Sequence, residues 1–350
     1  MLAVGPVLAQ DDAQDEVTPA SGVVDQERAV EMLMERLATS ESYKVRAQAA
    51  VLLGRMGGPQ AVQPLIRAME YDEHFVVRAA AAASLGALGD DRAIEPLFAA
   101  LLESEPMVRD SAAKGVGRLD ARRNFDTLVR YSREGSPDQR RVAVTRLGDL
   151  ARTGDQAAID VLVRALGDEA NIRDASAQAL ADLPTDKAVP ILIGALKHDD
   201  AGVRAEAARL LGPRQDVRAV EALASAYDRV GEQERVRVEI RRSLERLRPL
   251  INLTDLIQQA RSAPDKQLRA RAIRLLGVVG DPRAASAMEE FLADPDPYIQ
   301  GTAALALADM GSVQSIPKLE ETLPRVTDTR AQQPVEHAIK KLKRMRAQAQ

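Results

Sequence analysis

The chain has 350 residues, a formal net charge of −4, no cysteine and 3% aromatic residues. Without cysteine there is no disulfide framework, no thiol catalysis and no cysteine-based zinc site. A sequence pI near 5.7 excludes a global electrostatic pull toward nucleic acid or anionic membrane.

Residues 1–10, MLAVGPVLAQ, carry Val7-Leu8-Ala9 before Gln10. This resembles the small-residue end of an export signal, although the positive start is missing and the apolar run is short. The expectation is an exported protein, periplasmic or extracellular, with a clipped signal; a cytoplasmic protein with an apolar terminus is the alternative. No stretch reaches the roughly 18 apolar residues of a membrane span. The next segment holds Asp11, Asp12, Asp15 and Glu16 and no basic residue. Residues 1–24 are therefore expected to be a signal remnant followed by a disordered acidic arm. A helix follows from Asp25 to Leu37, with Val30, Leu33 and Leu37 on one face, as an N-terminal cap.

From there the chain repeats one unit about nine times, most clearly at residues 76–107. Val77, Ala81, Leu85 and Leu88 recur with helical spacing, and Ile94, Leu97, Phe98 and Leu101 restart the pattern. Gly89 can end the first helix in a left-handed conformation, and Asp90 or Asp91 can cap the second. Pro96 lies in the first turn of the second helix, where its missing N–H costs nothing. So short a pair needs a neighbour on each side to bury its faces.

An arginine marks the register: Arg46, Arg78, Arg109, Arg140, Arg173, Arg204, Arg237 and Arg269, with Gln300 in the ninth place. Successive markers lie 31 to 33 residues apart. Eight residues after each marker stands Gly54, Gly86, Gly117, Gly148, Ala181, Gly212, Glu245, Gly277 or Ala308. Only Glu245 is not small. Small residues there allow close helix approach. Seven residues after each marker the residue is always aliphatic, from Leu53 to Leu307.

The pattern V-R-x-x-A-A-x-x-L-G-x-x-G-D-x-x-A-x-x-P-L-x-x-A-L resembles HEAT repeats, in the short variety of phycobilin-lyase-like proteins. The resemblance covers roughly residues 25–325. It implies an all-α, right-handed solenoid whose second helices line a concave groove. Tetratricopeptide repeats would require large aromatics at fixed places, and ankyrin repeats a T-P-L-H turn; neither is present.

Two turns deviate: residues 120–124 read DARRN where others read GD-x-x-A, and Gly154-Asp155 follows a longer turn. Residues 227–262 deviate more. Glu245 replaces the small residue, and Arg229, Arg235, Arg237, Arg241, Arg242, Arg246 and Arg248 cluster around one helix. A degenerate repeat and a bend are expected there. Residues 326–350 close the chain as a basic capping helix. Its inward stripe is Val335, Ala338, Ile339, Leu342 and Met345; its outer face carries Lys340, Lys341, Lys343, Arg344 and Arg346.

What recurs in every repeat serves stacking, so Arg46, Arg78, Arg109, Arg140, Arg173, Arg204 and Arg269 are expected to be structural. So are the inter-helix Asp90, Asp149, Asp216 and Asp281. A ligand site belongs where repeats differ. By helical phase the groove should present Arg67, Glu70, Phe98, Arg130, Tyr131, Arg164 and Lys197, since Tyr and Arg commonly anchor interfaces.

His74, His198 and His337 are the only histidines, and no HExxH or His-Glu pair occurs, so no metal or other cofactor is expected. HEAT-type hydroxylases hold iron through such pairs. HEAT-type DNA glycosylases are basic and place aromatics against an extruded base; this chain is acidic and lacks Trp. The function expected is a non-catalytic scaffold for another protein. The alternatives are a lyase-type enzyme, or an acidic or nucleic-acid partner bound through Arg229–Arg248 and the terminal helix.

Overall fold

The computed structural model describes residues 20–227, 229 and 232–349. The signal-like segment and most of the acidic arm lie outside them, as does Asp228 beside the arginine cluster. Every regular element among the described residues is helical.

A capping helix, α1 (Ala20–Thr39), comes first and starts before the expected Asp25. Nine helix pairs follow among the described residues. The pairs are α2 (Tyr43–Met56) with α3 (Val62–Tyr71), α4 (Phe75–Leu88) with α5 (Ile94–Ala100), and α6 (Pro106–Val116) with α7 (Phe125–Glu134). Next come α8 (Pro137–Thr153) with α9 (Gln156–Ala165), α10 (Ala170–Ala181) with α11 (Thr185–Ala195), and α12 (Ala201–Leu211) with α13 (Arg218–Tyr227). The last are α14 (Glu234–Leu247) with α15 (Leu253–Ser262), α16 (Lys266–Val279) with α17 (Ala285–Glu290), and α18 (Pro297–Met310) with α19 (Ile316–Thr322). The closing helix is α20 (Thr329–Ala349).

Local chemistry sets these limits. Gly89 ends α4 with φ of 67°, a left-handed conformation that costs glycine little. At α8 the Ser136 hydroxyl and Gln139 amide form a reciprocal capping box with Pro137 in the first turn.

The helices form two compact units, Met1–Tyr131 and Ser132–Gln350. In the first, α2, α4 and α6 lie side by side, with α3 and α5 as the second layer. Leu53, Leu65, Leu85, Leu97 and Phe98 are fully buried between the layers. In the second unit α8 packs on α10, α12 on α14, and α18 on both α16 and α20. Val335, Ala338 and Leu342 of α20 are buried against that last group, while Met345 is exposed.

At five of the nine positions the small residue after the marker has a specific partner, six residues after the next marker. Gly54 faces Ser84, Gly86 faces Gly115, Gly148 faces Ala179, Gly212 faces Ser243 and Gly277 faces Ala306. Where the partner is bulky the joint loosens. Ala181 would face Leu210, and Glu245 would face Leu275. There α10 meets α12, and α14 meets α16, over only a few residues. The exposed Glu245 thus opens the joint in the repeat that the sequence marks as degenerate.

A Cβ on Gly86 would lie 2.9 Å from the Gly115 carbonyl oxygen and closer still to its Cα. Gly86→Ala is therefore expected to lower stability by about 1–3 kcal/mol through overpacking. Gly194→Ala is the control, because a Cβ there meets nothing within 4 Å. It should raise stability by up to about 1 kcal/mol through helix propensity. Paired chemical denaturation curves check the opposite signs.

The marker arginines reach back to the carbonyls that end the preceding loop. Arg46 donates to the carbonyl oxygens of Ser40 and Glu41, and Arg78 to those of Asp72 and Glu73. Arg109 donates to Glu103 and Ser104, and Arg204 to His198 and Asp199. Several also reach forward to a carboxylate of the next loop: Arg46 to Asp72, Arg78 to Glu103, Arg140 to Asp168, Arg204 to Glu232 and Arg269 to Asp294. Arg46, Arg78 and Arg204 thus each tie two successive loops through a planar fork of donors. Arg173 makes only a 3.7 Å contact with its neighbour Asp174.

The inter-helix aspartates act in a clasp absent from the sequence-based expectation. Asp90, Asp216 and Asp281 each accept the backbone N–H and the guanidinium of the arginine two residues on, Arg92, Arg218 and Arg283. Asp328 and Arg330 repeat it. The Arg92 hydrogen bonds outweigh burial and hold the Asp90 carboxyl at about 2. Asp149 is a correction. It lies inside α8, paired with Arg146 and Arg152, because α8 runs on past the usual turn. Asp155 caps the following helix instead.

Candidate functional site

The second helices carry exposed polar and aromatic side chains that differ between repeats. In the first unit Arg67 and Glu70 are exposed on α3. Next to them Tyr71 is 78% exposed. A cleft of about 540 Å³ between α1 and α3 is lined by Met34, Leu37, Pro64, Arg67 and Tyr71.

On α7 the exposed Arg130 lies 4.5 Å above the ring of the half-buried Tyr131. Arg130 pairs with Glu95, and the Tyr131 hydroxyl donates to the same carboxylate at 2.8 Å. Burial pushes the Glu95 carboxyl up, but these two donors outweigh it and hold it below its ordinary value. Phe98 does not face a groove. It is 0% exposed and stacked on Tyr131, ring centres 3.9 Å apart. Phe98 follows the inward Leu97 directly, and its phase on the short α5 turns it into the layer interface.

In the second unit Arg164 and Lys197 are both exposed, on α9 and just beyond α11. Between these helices runs a cleft of about 500 Å³, lined by Ile159, Asp160, Arg164, Gly194, Lys197 and His198 among others. A second cleft of about 400 Å³ lies between α11 and α13, lined by Ile193, Lys197, Arg218, Glu221, Ser225 and Arg229 among others. Lys197 belongs to both clefts, so the two form one line across three second helices.

The arginine cluster is largely spent within its own unit. Arg229 donates to the Leu196 carbonyl, Arg241 to the Tyr227 hydroxyl, and Arg248 to the Val279 carbonyl. Arg242 pairs with Glu239, and Arg237 lies 5.7 Å from the Tyr227 ring centre. The terminal helix is also partly paired, which its local sequence conceals: Lys341 meets Asp309 at 2.7 Å and Lys343 meets Glu320 at 2.6 Å. At the opened joint Arg271 of α16 reaches Glu221 of α13 at 2.5 Å.

Two of the histidines act in turns: a ring nitrogen of His74 accepts from the Val76 N–H, and one of His198 from that of Asp200. Among the described residues no group of three or more His, Cys, Asp or Glu side chains could hold a metal ion. Nor is any described helix long and apolar enough to cross a membrane.

Comparison with known proteins agrees with this build. The family model described as HEAT repeats matches residues 30–113, 94–181, 168–245 and 253–340. The chain belongs to the HEAT-repeat family and is an all-α solenoid. No curated protein sequence matches it. Among solved structures it is similar to human deoxyhypusine hydroxylase in complex with glycerol, at 22% identity and TM-score 0.33, over 84% of this chain and 99% of that one. An engineered protein matches at 20% identity and TM-score 0.31, over 90% of this chain and 99% of that one. The structure of Kap121p bound to Ste12p matches at 15% identity and TM-score 0.41, over 90% of this chain but only 41% of that one.

Proposed function

We propose that the protein is a non-catalytic scaffold that holds a partner protein against the exposed face of its second helices. The observation that carries this reading is a division of labour. The recurring polar groups of the first helices and loops are consumed in stacking. Clefts open between second helices in the second unit, and between α1 and α3 in the first, lined by side chains that change from repeat to repeat. A surface of this kind offers variable contacts on a repeated frame. The period of 31 to 33 residues supports the short, phycobilin-lyase-like variety of repeat, of which the scaffold is the shared part. The signal-like start supports export, and mass spectrometry of the mature N-terminus in the native cell checks it.

Site-specific photo-crosslinking in the native cell tests the scaffold reading. A crosslinker at Arg67, Arg164 or Lys197 should trap protein adducts. One at the exposed first-helix positions Asp110 or Glu245 should not. Adducts from the first helices alone would overturn the proposal.

A further inference from the structure

The paired clefts of the second unit carry a charge pattern that selects among partners. Four cationic side chains, Arg164, Lys197, Arg218 and Arg229, line them against two acidic ones, Asp160 and Glu221. Glu221 is engaged by Arg271, which lies outside both linings. Arg218 is clasped by Asp216, and Arg229 is bound to the Leu196 carbonyl and lies 3.7 Å from Glu232. Among the described residues, Arg164 and Lys197 meet no carboxylate. Both are exposed, and they stand at the two sides of one cleft. Asp200, close by, has its carboxylate turned to the Val203 N–H at 3.0 Å.

Gly194 adds an independent observation. It is the penultimate residue of α11, in the helix's last turn, where its backbone stays helical and alanine would be the better helix former. The glycines at Gly54, Gly86, Gly148, Gly212 and Gly277 are explained by a neighbouring helix that a Cβ would strike. Gly194 has no such neighbour, and its backbone is right-handed. It lines the cleft between Arg164 and Lys197. Removing a side chain there lowers the cleft floor and lets another chain's backbone approach closely.

We propose that this face binds an extended acidic segment of a partner protein. Arg164 and Lys197 hold its carboxylates by charge-assisted hydrogen bonds, and Gly194 gives its backbone room. The partly exposed Ile191 and Ile193 supply apolar contact between the charges. This rests on the scaffold reading above and adds the chemistry of the partner.

The test is selection of a random peptide library displayed on phage against the full chain, with the Arg164→Glu/Lys197→Glu variant as counter-selection. Selection of peptides rich in Asp and Glu, lost on the variant, is the expected result. A synthetic acidic peptide so selected should bind the full chain by fluorescence anisotropy. It should lose affinity at least about tenfold on the charge-reversed variant. Gly194→Leu should cost a similar factor without lowering the thermal melt, because the new side chain enters open space and leucine favours the helix more than glycine does. Replacing Lys340 and Arg344 by glutamate should leave affinity unchanged. Selection of basic or apolar peptides would overturn the acidic partner and keep the scaffold reading. Peptides that bind equally to the charge-reversed variant would overturn the assigned face. Recovery of no peptide would overturn both.

Discussion

Leu85→Asp is expected to unfold the first unit around α4. Leu85 is 0% exposed, between the helix layers. A carboxylate there must be buried unpaired or protonated, at a cost of several kcal/mol. Whole domains are stable by only about 5–15 kcal/mol, so one such group can exceed what the repeats supply. Repeats hold one another through nearest neighbours, so the loss should spread through α2 to α6. Amide hydrogen exchange should show these helices unprotected, with less helical circular dichroism. Leu85→Ala is the milder control, expected to cost about 2–5 kcal/mol and to leave the fold intact at low temperature. An unchanged melt for Leu85→Asp would mean the side chain is not enclosed.

Glu232→Ala is expected to cost about 3 kcal/mol, because it strands a nearly buried guanidinium. The Glu232 side chain is 0% exposed and that of Arg204 10%; they meet in two hydrogen bonds, of 2.7 and 2.8 Å. Burial pushes the Glu232 carboxyl up, but Arg204 and the Gln233 N–H outweigh it and hold it below its ordinary value. A carboxyl lowered by folding stabilises the protein above its unfolded pKa, about 4.3 for glutamate. That contribution disappears as pH falls through the lower folded value. Acid denaturation should therefore start at higher pH in a variant with a weakened pair, such as Arg204→Lys. The double variant Arg204→Met/Glu232→Leu should recover most of the loss, since packed apolar groups can replace a buried pair. Urea midpoints at neutral and acid pH measure each effect.

The fold was legible because its rules repeat. Nine occurrences of an arginine or glutamine, eight of them followed by a small residue, made the register plain, and the helix pairs obey it. What stayed hidden was pairwise. Gly86 was visible as small, but its partner Gly115 sits where other repeats carry Leu210 or Leu275, so no column of residues announces it. The clasp of Asp90 and Arg92 was half visible: aspartate was read as a cap, and its arginine passed unnoticed because the two are neighbours. Phe98 was misplaced for a geometric reason. On a helix of only seven residues, a small phase error turns a side chain from surface to core. Arg164 and Lys197 were reachable from phase. The cleft between them was not, because it depends on how two helices separate. The signal for it in the sequence was Gly194, a glycine in the last turn of α11 whose missing side chain no packed neighbour requires.

The most direct measurement of the central claim, that equivalent two-helix units are stacked by a shared register, is excision of one unit. Deleting residues 78–108 removes 31 residues, the interval from Arg78 to Arg109. It brings Gly54 opposite Gly115 and Arg109 into the place of Arg78. The shortened chain should remain helical and melt cooperatively, whereas deleting only residues 78–93, about half a unit, should collapse the first unit. Equal collapse in both deletions would contradict a stack of interchangeable units.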